Sequence, residues 1–182
     1  VDVFRKETGN KNSLPTNHVR CLFSDSNGTV WIGTSNGLAY YDHRSNSFKS
    51  FFHDSKDENS LPGNNISTIK EDVYGMLWIG TNAGLCSFDI KNKRFKRFTH
   101  DDHSNSVSSN HIRDIEFAPD GTMWISTGKG LNRLDLSTMR FRSFFNDPKE
   151  RTTLSGNILT RMGMDKEGNL WVSVNETNFL EC

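Results

Sequence analysis

The chain has 182 residues, of which 34% are hydrophobic, and its 22 Lys and Arg residues balance its 22 Asp and Glu residues. This composition is typical of a globular protein and carries no basic footprint that would indicate a nucleic-acid partner. No apolar run reaches the roughly 18 residues expected of a membrane span, and the first residues lack the pattern of a signal peptide.

Four tryptophans, Trp31, Trp78, Trp124 and Trp171, divide the chain at intervals of 46 or 47 residues. The positions around them also repeat. A Gly precedes each Trp by three residues, an Asn precedes it by 14, and in three units a second Gly follows by six. A constant period of this length indicates a repeat architecture.

The first full unit predicts four strands, at residues 18–24, 29–34, 38–42 and 48–52, because short β-branched and aromatic runs alternate with turn residues. Residues 25–28 form the first turn. Asn36 and Gly37 are expected to supply the positive φ angles of a two-residue hairpin between the second and third strands. Four short antiparallel strands per unit are typical of a β-propeller blade, so the fold class is all-β.

The remaining units follow in the same order along the chain. Residues 1–4 resemble a lone fourth strand, and residues 179–182 a short third strand. The predicted organisation is a last strand of a preceding blade at 1–11, blade 1 at 12–58, blade 2 at 59–104, blade 3 at 105–151, and partial blade 4 at 152–182. This inventory gives 16 strands, about four blade equivalents.

Those strands could close as a four-bladed ring or form a piece of a larger one. Thr177 replaces the second Gly in the last unit, which favours a fragment of a seven-bladed propeller. A fragment would expose a strand edge and an apolar blade face. We therefore expect pairing with other blades or with a second copy.

The repeated Trp and Gly residues are interpreted as structural. The tryptophans are expected to pack blade against blade. The glycines are expected to provide backbone geometry in turns, and not to hold a phosphate. The glycine positions concerned are Gly28, Gly37, Gly75, Gly84, Gly121, Gly130 and Gly168.

The phrase "DVYGMLWIGTNAGLCSFD" at residues 72–89, with "NSLPGNNISTI" upstream at 59–69, resembles the two-component-regulator propeller repeat. Blade 3 departs from it at Ala118 and Ser126, and blade 4 departs further. The resemblance implies a periplasmic, ligand-sensing segment of a membrane-anchored hybrid histidine kinase, which itself is not catalytic. It further implies an oligosaccharide or another small polar ligand, no cofactor, and a homodimeric parent protein.

Candidate binding residues are sought where the repeats differ. In a propeller, the connections from fourth to first strands and the turns between second and third strands open on one face around the channel. Variable polar and cationic residues in these segments would suit hydroxyl-rich or anionic ligands. The candidates are His18, Arg20, Asn36, Asn65, Asn82, His111, Arg113, Asp114, Lys129 and Arg161.

Other clusters have plainer explanations. The segment "HDDH" at residues 100–103 could bind a metal, but His53 and Asn146 occupy the repeat position of His100, which indicates a loop scaffold. The sialidase Asp-box is absent, since Ser26, Val73, Pro119 and Lys166 fill its Asp position. A propeller hydrolase or lyase and a protein-interaction scaffold remain as alternatives; Asp114 is the most central acid, without an evident partner.

The three cysteines occupy no shared repeat position and show no paired spacing. Cys21 and Cys86 fall in predicted strands and are interpreted as small buried hydrophobic residues. The cysteines, including Cys182, therefore do not indicate the redox compartment.

Overall fold

The computed structural model describes residues 1–102, 105–175 and 179–181, in which every regular element is a β-strand. Of the residues in the sequence predictions, His103, Thr177 and Cys182 lie outside this range. The strands are β1 Val19–Ser24, β2 Val30–Thr34, β3 Gly37–Asp42, β4 Ser47–Phe51, β5 Ile66–Glu71, β6 Leu77–Thr81, β7 Gly84–Asp89, β8 Arg94–Phe98, β9 Ile112–Phe117, β10 Met123–Thr127, β11 Gly130–Asp135, β12 Arg140–Phe144, β13 Leu159–Met164, β14 Leu170–Val174 and β15 Phe179–Glu181.

The strands form four separate antiparallel sheets in sequence order, which are the predicted blades. Blades 1, 2 and 3 have four strands each, and blade 4 has β13, β14 and β15. The first strands of successive blades (β1, β5, β9 and β13) lie side by side and are called the inner strands. The all-β propeller prediction is confirmed. Within the described part of the chain, no helix has the length and apolarity that a membrane crossing requires.

The predicted turn glycines adopt positive φ angles, from 78° at Gly75 to 138° at Gly84. The hairpin prediction was wrong in one detail, because Asn36 does not have a positive φ. The two-residue turn lies between Thr34 and Gly37, and Gly37 alone takes the left-handed backbone, with a φ of 110°. A side chain at Gly37 would also meet the carbonyl oxygen of Phe51 at 2.7 Å.

Three of the four tryptophans, Trp31, Trp78 and Trp124, pack against residues of the following blade. Trp31 is 1% exposed, and its ring centroid lies 5.7 Å from that of Phe88 in the next blade. Both belong to a buried cluster that joins blades 1 and 2. Trp171, in the last blade, is 38% exposed.

An interaction that the sequence analysis missed anchors the indole ring. In blades 1, 2 and 4, the Asp that opens the first turn accepts a hydrogen bond from the Trp Nε1 six residues later, at 2.9 Å. The Asp25 carboxylate also accepts the backbone N–H groups of Asn27 and Thr29. This residue therefore fixes the turn and the Trp together, whereas blade 3 has Ala118 at this position.

The first four residues form no strand, so this prediction was wrong and 15 strands are observed in the described residues. A strand needs a hydrogen-bonded neighbour, and the chain offers none on this side of blade 1. Phe4 nevertheless makes ring contacts that match those of a Phe in a fourth strand. The Phe4 ring lies 4.9 Å from Tyr41 and 5.3 Å from Phe48, where Phe51 packs on the corresponding rings of blade 2.

One face of blade 1 is open. Val19, Leu22 and Val30 are 44%, 66% and 46% exposed, whereas the residues at the same positions in blades 2 and 3 are 0 to 4% exposed because the preceding blade covers them. Those residues are Ile66, Ile69, Leu77, Ile112, Ile115 and Met123. No strand of blade 4 pairs with the N-terminal segment in the described residues, so a four-bladed ring with a shared blade is not formed.

Candidate ligand-binding face

Two segments of each blade meet at one end of the propeller, which we call the channel face. The first residue of the turn between second and third strands donates its backbone N–H to a carbonyl at the start of the inner strand. This contact recurs in all four blades, at Ser35 to His18 (3.0 Å), Asn82 to Asn65 (3.1 Å), Gly128 to His111 (3.0 Å) and Asn175 to Ile158 (2.9 Å). Within each blade, the turn and the connection before the inner strand therefore lie side by side.

The repeated Asn shapes the connection from the fourth strand to the next inner strand. Its side-chain oxygen accepts a backbone N–H from 10 or 11 residues earlier in all four units. In blade 2, Asn64 accepts from His53 at 2.7 Å. The sequence showed that this Asn repeats but did not show its role, because the donor lies in another part of the loop.

The "HDDH" segment belongs to the same scaffold. The Nδ1 atom of His100 lies 2.7 Å from the carbonyl oxygen of Val107, and His53 makes the matching contact with Leu61. The Asn146 amide donates to the equivalent carbonyl in the next loop. Among the described residues, no group of three or more His, Cys, Asp or Glu side chains is arranged to hold a metal ion.

A β-bulge interrupts each inner strand close to the channel face. The pairing of β1 with β2 skips Arg20, and the pairing of β9 with β10 skips Arg113. In blade 4, Thr160 and Arg161 both fall in the irregular step. Three of the predicted cations, Arg20, Arg113 and Arg161, therefore leave the regular alternation of their strands. A bulge changes the direction of its side chain, and bulges are frequent beside binding sites.

Two of the arginines at the bulges, Arg113 and Arg20, affect the pKa of His111. Partial burial and the positive charges of Arg113 and Arg20 lower the pKa of the His111 imidazole below its ordinary value of 6.5. Arg20 is on blade 1 and His111 on blade 3, with blade 2 between them. No hydrogen bond or ion pair joins these three side chains among the described residues, so their grouping at one site remains a prediction.

Asp114 is central, as predicted, but its carboxylate is fully engaged. It is 8% exposed and accepts three hydrogen bonds at 3.0 Å, from the Thr68 hydroxyl and the backbone N–H groups of Ile115 and Met162. These donors come from blades 2, 3 and 4. Asp114 therefore joins three inner strands, which is a structural role that the sequence did not reveal.

The other predicted residues lie around the edge of the same face. His18 is exposed and Asn65 half-buried at the starts of β1 and β5, while Asn36, Asn82 and Lys129 are exposed at the tips of the turns. In the described part of the chain, no hydrogen bond joins the side chains of Asn36, Asn82 or Lys129 to the inner-strand cations. Their role as ligand contacts remains a prediction.

The thiols of Cys21 and Cys86 are held in their protonated form by burial. Burial raises the pKa of Cys21 to about 11 and raises the pKa of the fully buried Cys86 further. Both lie in strands, as expected, although Cys21 is only partly buried.

A groove of about 910 Å³ lies away from the channel face, along the outer strand of blade 2. Arg97 lines it, but its guanidinium donates to the carbonyl oxygens of Asp54, Asp57 and Ser60 in the neighbouring loop. The groove is therefore lined in part by a side chain whose donors already make hydrogen bonds within the protein.

Three segments of the chain, residues 13–36, 60–83 and 106–129, match the family described as two component regulator propeller. Each segment runs from the connection before an inner strand to the turn between second and third strands. The matched repeats therefore contain the elements that build the channel face. No curated protein sequence matches the chain.

Solved extracellular domains from B. thetaiotaomicron share the fold. One, described as part of a one component system, has 23% sequence identity and a TM-score of 0.73, with 89% of this chain and 21% of that chain covered. Another, from a hybrid two component system, has 19% identity and a TM-score of 0.74, with 98% and 26% covered. The chain thus spans about a quarter of the length of these structures.

A more distant likeness is to virginiamycin B lyase from Staphylococcus aureus. It has 15% sequence identity and a TM-score of 0.61, with 88% of this chain and 50% of that chain covered. At such identities, these likenesses establish the propeller fold and no shared activity.

Proposed function

We propose that this chain, a two-component-regulator propeller, is a segment of the extracytoplasmic sensing domain of a hybrid two-component histidine kinase, and that it binds an oligosaccharide without transforming it. The proposal rests on the matched repeats and on the candidate polar and cationic residues that these repeats place at the channel face, which we call the polar ring. The likeness to extracellular domains of two-component systems supports a location outside the cytoplasm, which we propose to be the periplasm.

The polar ring suits a hydroxyl-rich ligand. Its amides and imidazoles offer donors and acceptors, and its arginines offer donors in a planar fork. The hydrogen-bonded loops beneath hold these side chains on a rigid frame, which lowers the entropic cost of binding. Ligand bound here would contact several blades at once and so alter how the ring packs on its neighbours.

The signalling step follows from that packing. In the proposed parent protein, ligand binding changes the contact between paired sensing domains, and the membrane helices transmit the change to the kinase. A ligand shifts such an equilibrium only by its differential affinity for the two arrangements. The proposal therefore requires that ligand bind one arrangement of the pair more tightly.

Isothermal titration of the intact sensing domain with oligosaccharides tests the site. We expect binding to be lost when Arg20, His111 and Arg113 are replaced together by Gln. Arg44→Gln is the matched control, because Arg44 lies in the turn between β3 and β4 at the opposite end of the blade. Unchanged affinity in the triple variant would rule out the channel face.

The catalytic alternative makes a different prediction. A hydrolase or lyase would release new chain ends from a polysaccharide, whereas we expect none. Asp114 is already occupied by three donors, and Glu116, the next acid on its strand, pairs with Lys70 at 2.7 Å. Turnover that disappears in Asp114→Asn would overturn the binding-only proposal in favour of an enzyme.

A further inference from the structure

The fourth, outer strands of blades 1, 2 and 3 carry cations and no acids. The five-residue strands β4, β8 and β12 together contain six Lys or Arg residues and no Asp or Glu, although the whole chain has no net charge. The positive charge is densest around β8, where five of the seven residues at 91–97 are Lys or Arg. A basic segment of this length is typical of a patch that binds a polyanion.

The groove of about 910 Å³ lies beside this basic segment. Three of the cations, Arg94, Lys96 and Arg97, line it. Arg94 and Lys96 are exposed and alternate with the half-buried Phe95, so they lie on one face of β8, about 7 Å apart along the strand. Two cations therefore follow one another along the strand that lines the groove.

These two cations have no anionic partner within the protein. Neither Arg94 nor Lys96 makes a hydrogen bond or an ion pair in the described part of the chain. Asp89 lies opposite Arg94 in β7, but its carboxylate accepts the backbone N–H and the side-chain amide of Asn92, at 3.0 and 2.7 Å. The Lys96 ammonium lies 5.2 Å from the centroid of the Phe98 ring, a contact that uses its charge but none of its three N–H donors. Both side chains can therefore bind an external anion.

Protection of the sheet edge leaves these two cations unexplained. Charged residues on edge strands commonly prevent pairing with another chain. The start of β8 has a separate cover, because Asn59 accepts the Phe95 N–H at 2.7 Å and donates to the Lys93 carbonyl at 3.4 Å. Arg97 fastens the same loop through three carbonyl oxygens at residues 54–60. These contacts also hold the groove in one shape, which lowers the entropic cost of binding.

The shape of the groove and its neutral groups favour an extended polymer as the ligand. The groove is concave, so a flat membrane surface cannot follow it, whereas a single polymer chain can. Ser87 and Thr99 also line the groove and offer hydroxyl groups that can pair with the hydroxyl groups of a sugar. Arg and Lys bind sulfate and carboxylate groups through charge-assisted hydrogen bonds.

We propose that this groove is a second ligand site, in which an acidic polysaccharide lies along β8 with its sulfate or carboxylate groups on Arg94 and Lys96. The site lies away from the channel face, so this inference goes beyond the proposed sensing function and does not depend on it. It assigns the capture of an acidic polymer to the perimeter of the propeller.

Isothermal titration of the 182-residue chain with dextran sulfate tests the site, with neutral dextran, polyglutamate and single-stranded DNA of matched length as separate probes. We expect dextran sulfate to bind more tightly than neutral dextran, and rising salt to weaken its binding. The double variant Arg94→Gln, Lys96→Gln should lose about tenfold in affinity for dextran sulfate, as the loss of two exposed ion pairs implies. The matched control is Arg44→Gln, Lys49→Gln, which removes the same charge from blade 1 at residues that do not line the groove.

The other outcomes overturn the proposal in distinct ways. Equal losses in the double variant and its control would show that binding follows net charge and not the groove. Polyglutamate or DNA that binds as tightly as dextran sulfate would overturn the saccharide as the ligand, and dextran sulfate that fails to bind would overturn the site.

The channel-face variant separates this proposal from the sensing function. When Arg20, His111 and Arg113 are replaced together by Gln, we expect the affinity for dextran sulfate to persist. Its loss in that variant would move the acidic ligand to the channel face and overturn the groove as its site. A loss of neutral oligosaccharide binding in the same variant bears only on the sensing proposal.

Discussion

Single side chains fix the geometry of each blade through contacts that reach only a few residues. Asp25 closes the first turn with one carboxylate oxygen and holds the Trp31 indole with the other. The sequence predicted the turn and the packing of the Trp, but not their link. The hydrogen bond between them depends on the direction of the indole N–H group, which cannot be predicted from the repeat pattern.

Asp25→Asn isolates this link. The variant keeps an oxygen for the turn but places an amide against the indole N–H, so we expect a loss of about 2 kcal/mol in the free energy of unfolding. The loss should be much smaller in a Trp31→Phe background, where no indole donor exists. Urea unfolding of both single variants and the double variant measures the coupling, and equal losses in both backgrounds would refute it.

His111 reports on the charges around it. Its folded-state pKa is lowered, so the unfolded chain binds more protons as pH falls below 6.5. The stability that His111 contributes is therefore present above pH 6.5 and is lost as pH falls toward its folded-state pKa. We expect Arg113→Gln to raise this pKa and Arg44→Gln to leave it unchanged in an NMR titration; no change in Arg113→Gln would show that the two groups are apart.

Strand spacing is set by glycines that the turn analysis did not single out. A Cβ atom at Gly80, in β6, would lie 2.7 Å from side-chain carbons of Ile112 in the next blade and of Thr68. Blade 3 has Ser126 at this position, where its hydroxyl donates to the Thr160 carbonyl. The sequence showed this exchange, but only the packing shows what each residue meets.

Gly80→Ala should therefore destabilise the protein by about 1–3 kcal/mol through overpacking between blades 2 and 3. Gly163→Ala is the matched control, since a Cβ atom there meets nothing within 4 Å and the backbone is not left-handed. We expect the control to change stability by no more than about 0.5 kcal/mol. Chemical unfolding of both variants gives the comparison; equal effects would show that the blades can separate to admit a methyl group.

At the scale of the molecule, the blade series has exposed apolar side chains at each of its two ends. Blade 1 exposes Val19, Leu22 and Val30, while blade 4 exposes Trp171, whose counterpart Trp31 packs on the following blade. We propose that, in this 182-residue chain, blade 4 of one copy stacks on blade 1 of a second copy, as neighbouring blades do within the chain.

Sedimentation velocity tests this stacking. We expect the chain to self-associate and Leu22→Lys to abolish the association, because the lysine would place a charge in the apolar contact. Val73→Lys is the control, since Val73 is 84% exposed but lies in a turn away from this face. The proposal would be contradicted if the unsubstituted 182-residue chain is monomeric, or if the Leu22→Lys variant still associates.

The sequence by itself determined the repeat, the strands within each blade and the turn glycines. These features depend on local backbone preferences and on side-chain alternation within one blade, so a pattern of 46 or 47 residues is enough to predict them. Only the tertiary structure decided that Asp114 joins three inner strands, that an Asp in the first turn holds the Trp indole, and that residues 1–4 pack without forming a strand. Each of these depends on where a side chain points or on which neighbour a strand finds, and both are settled when the blades pack.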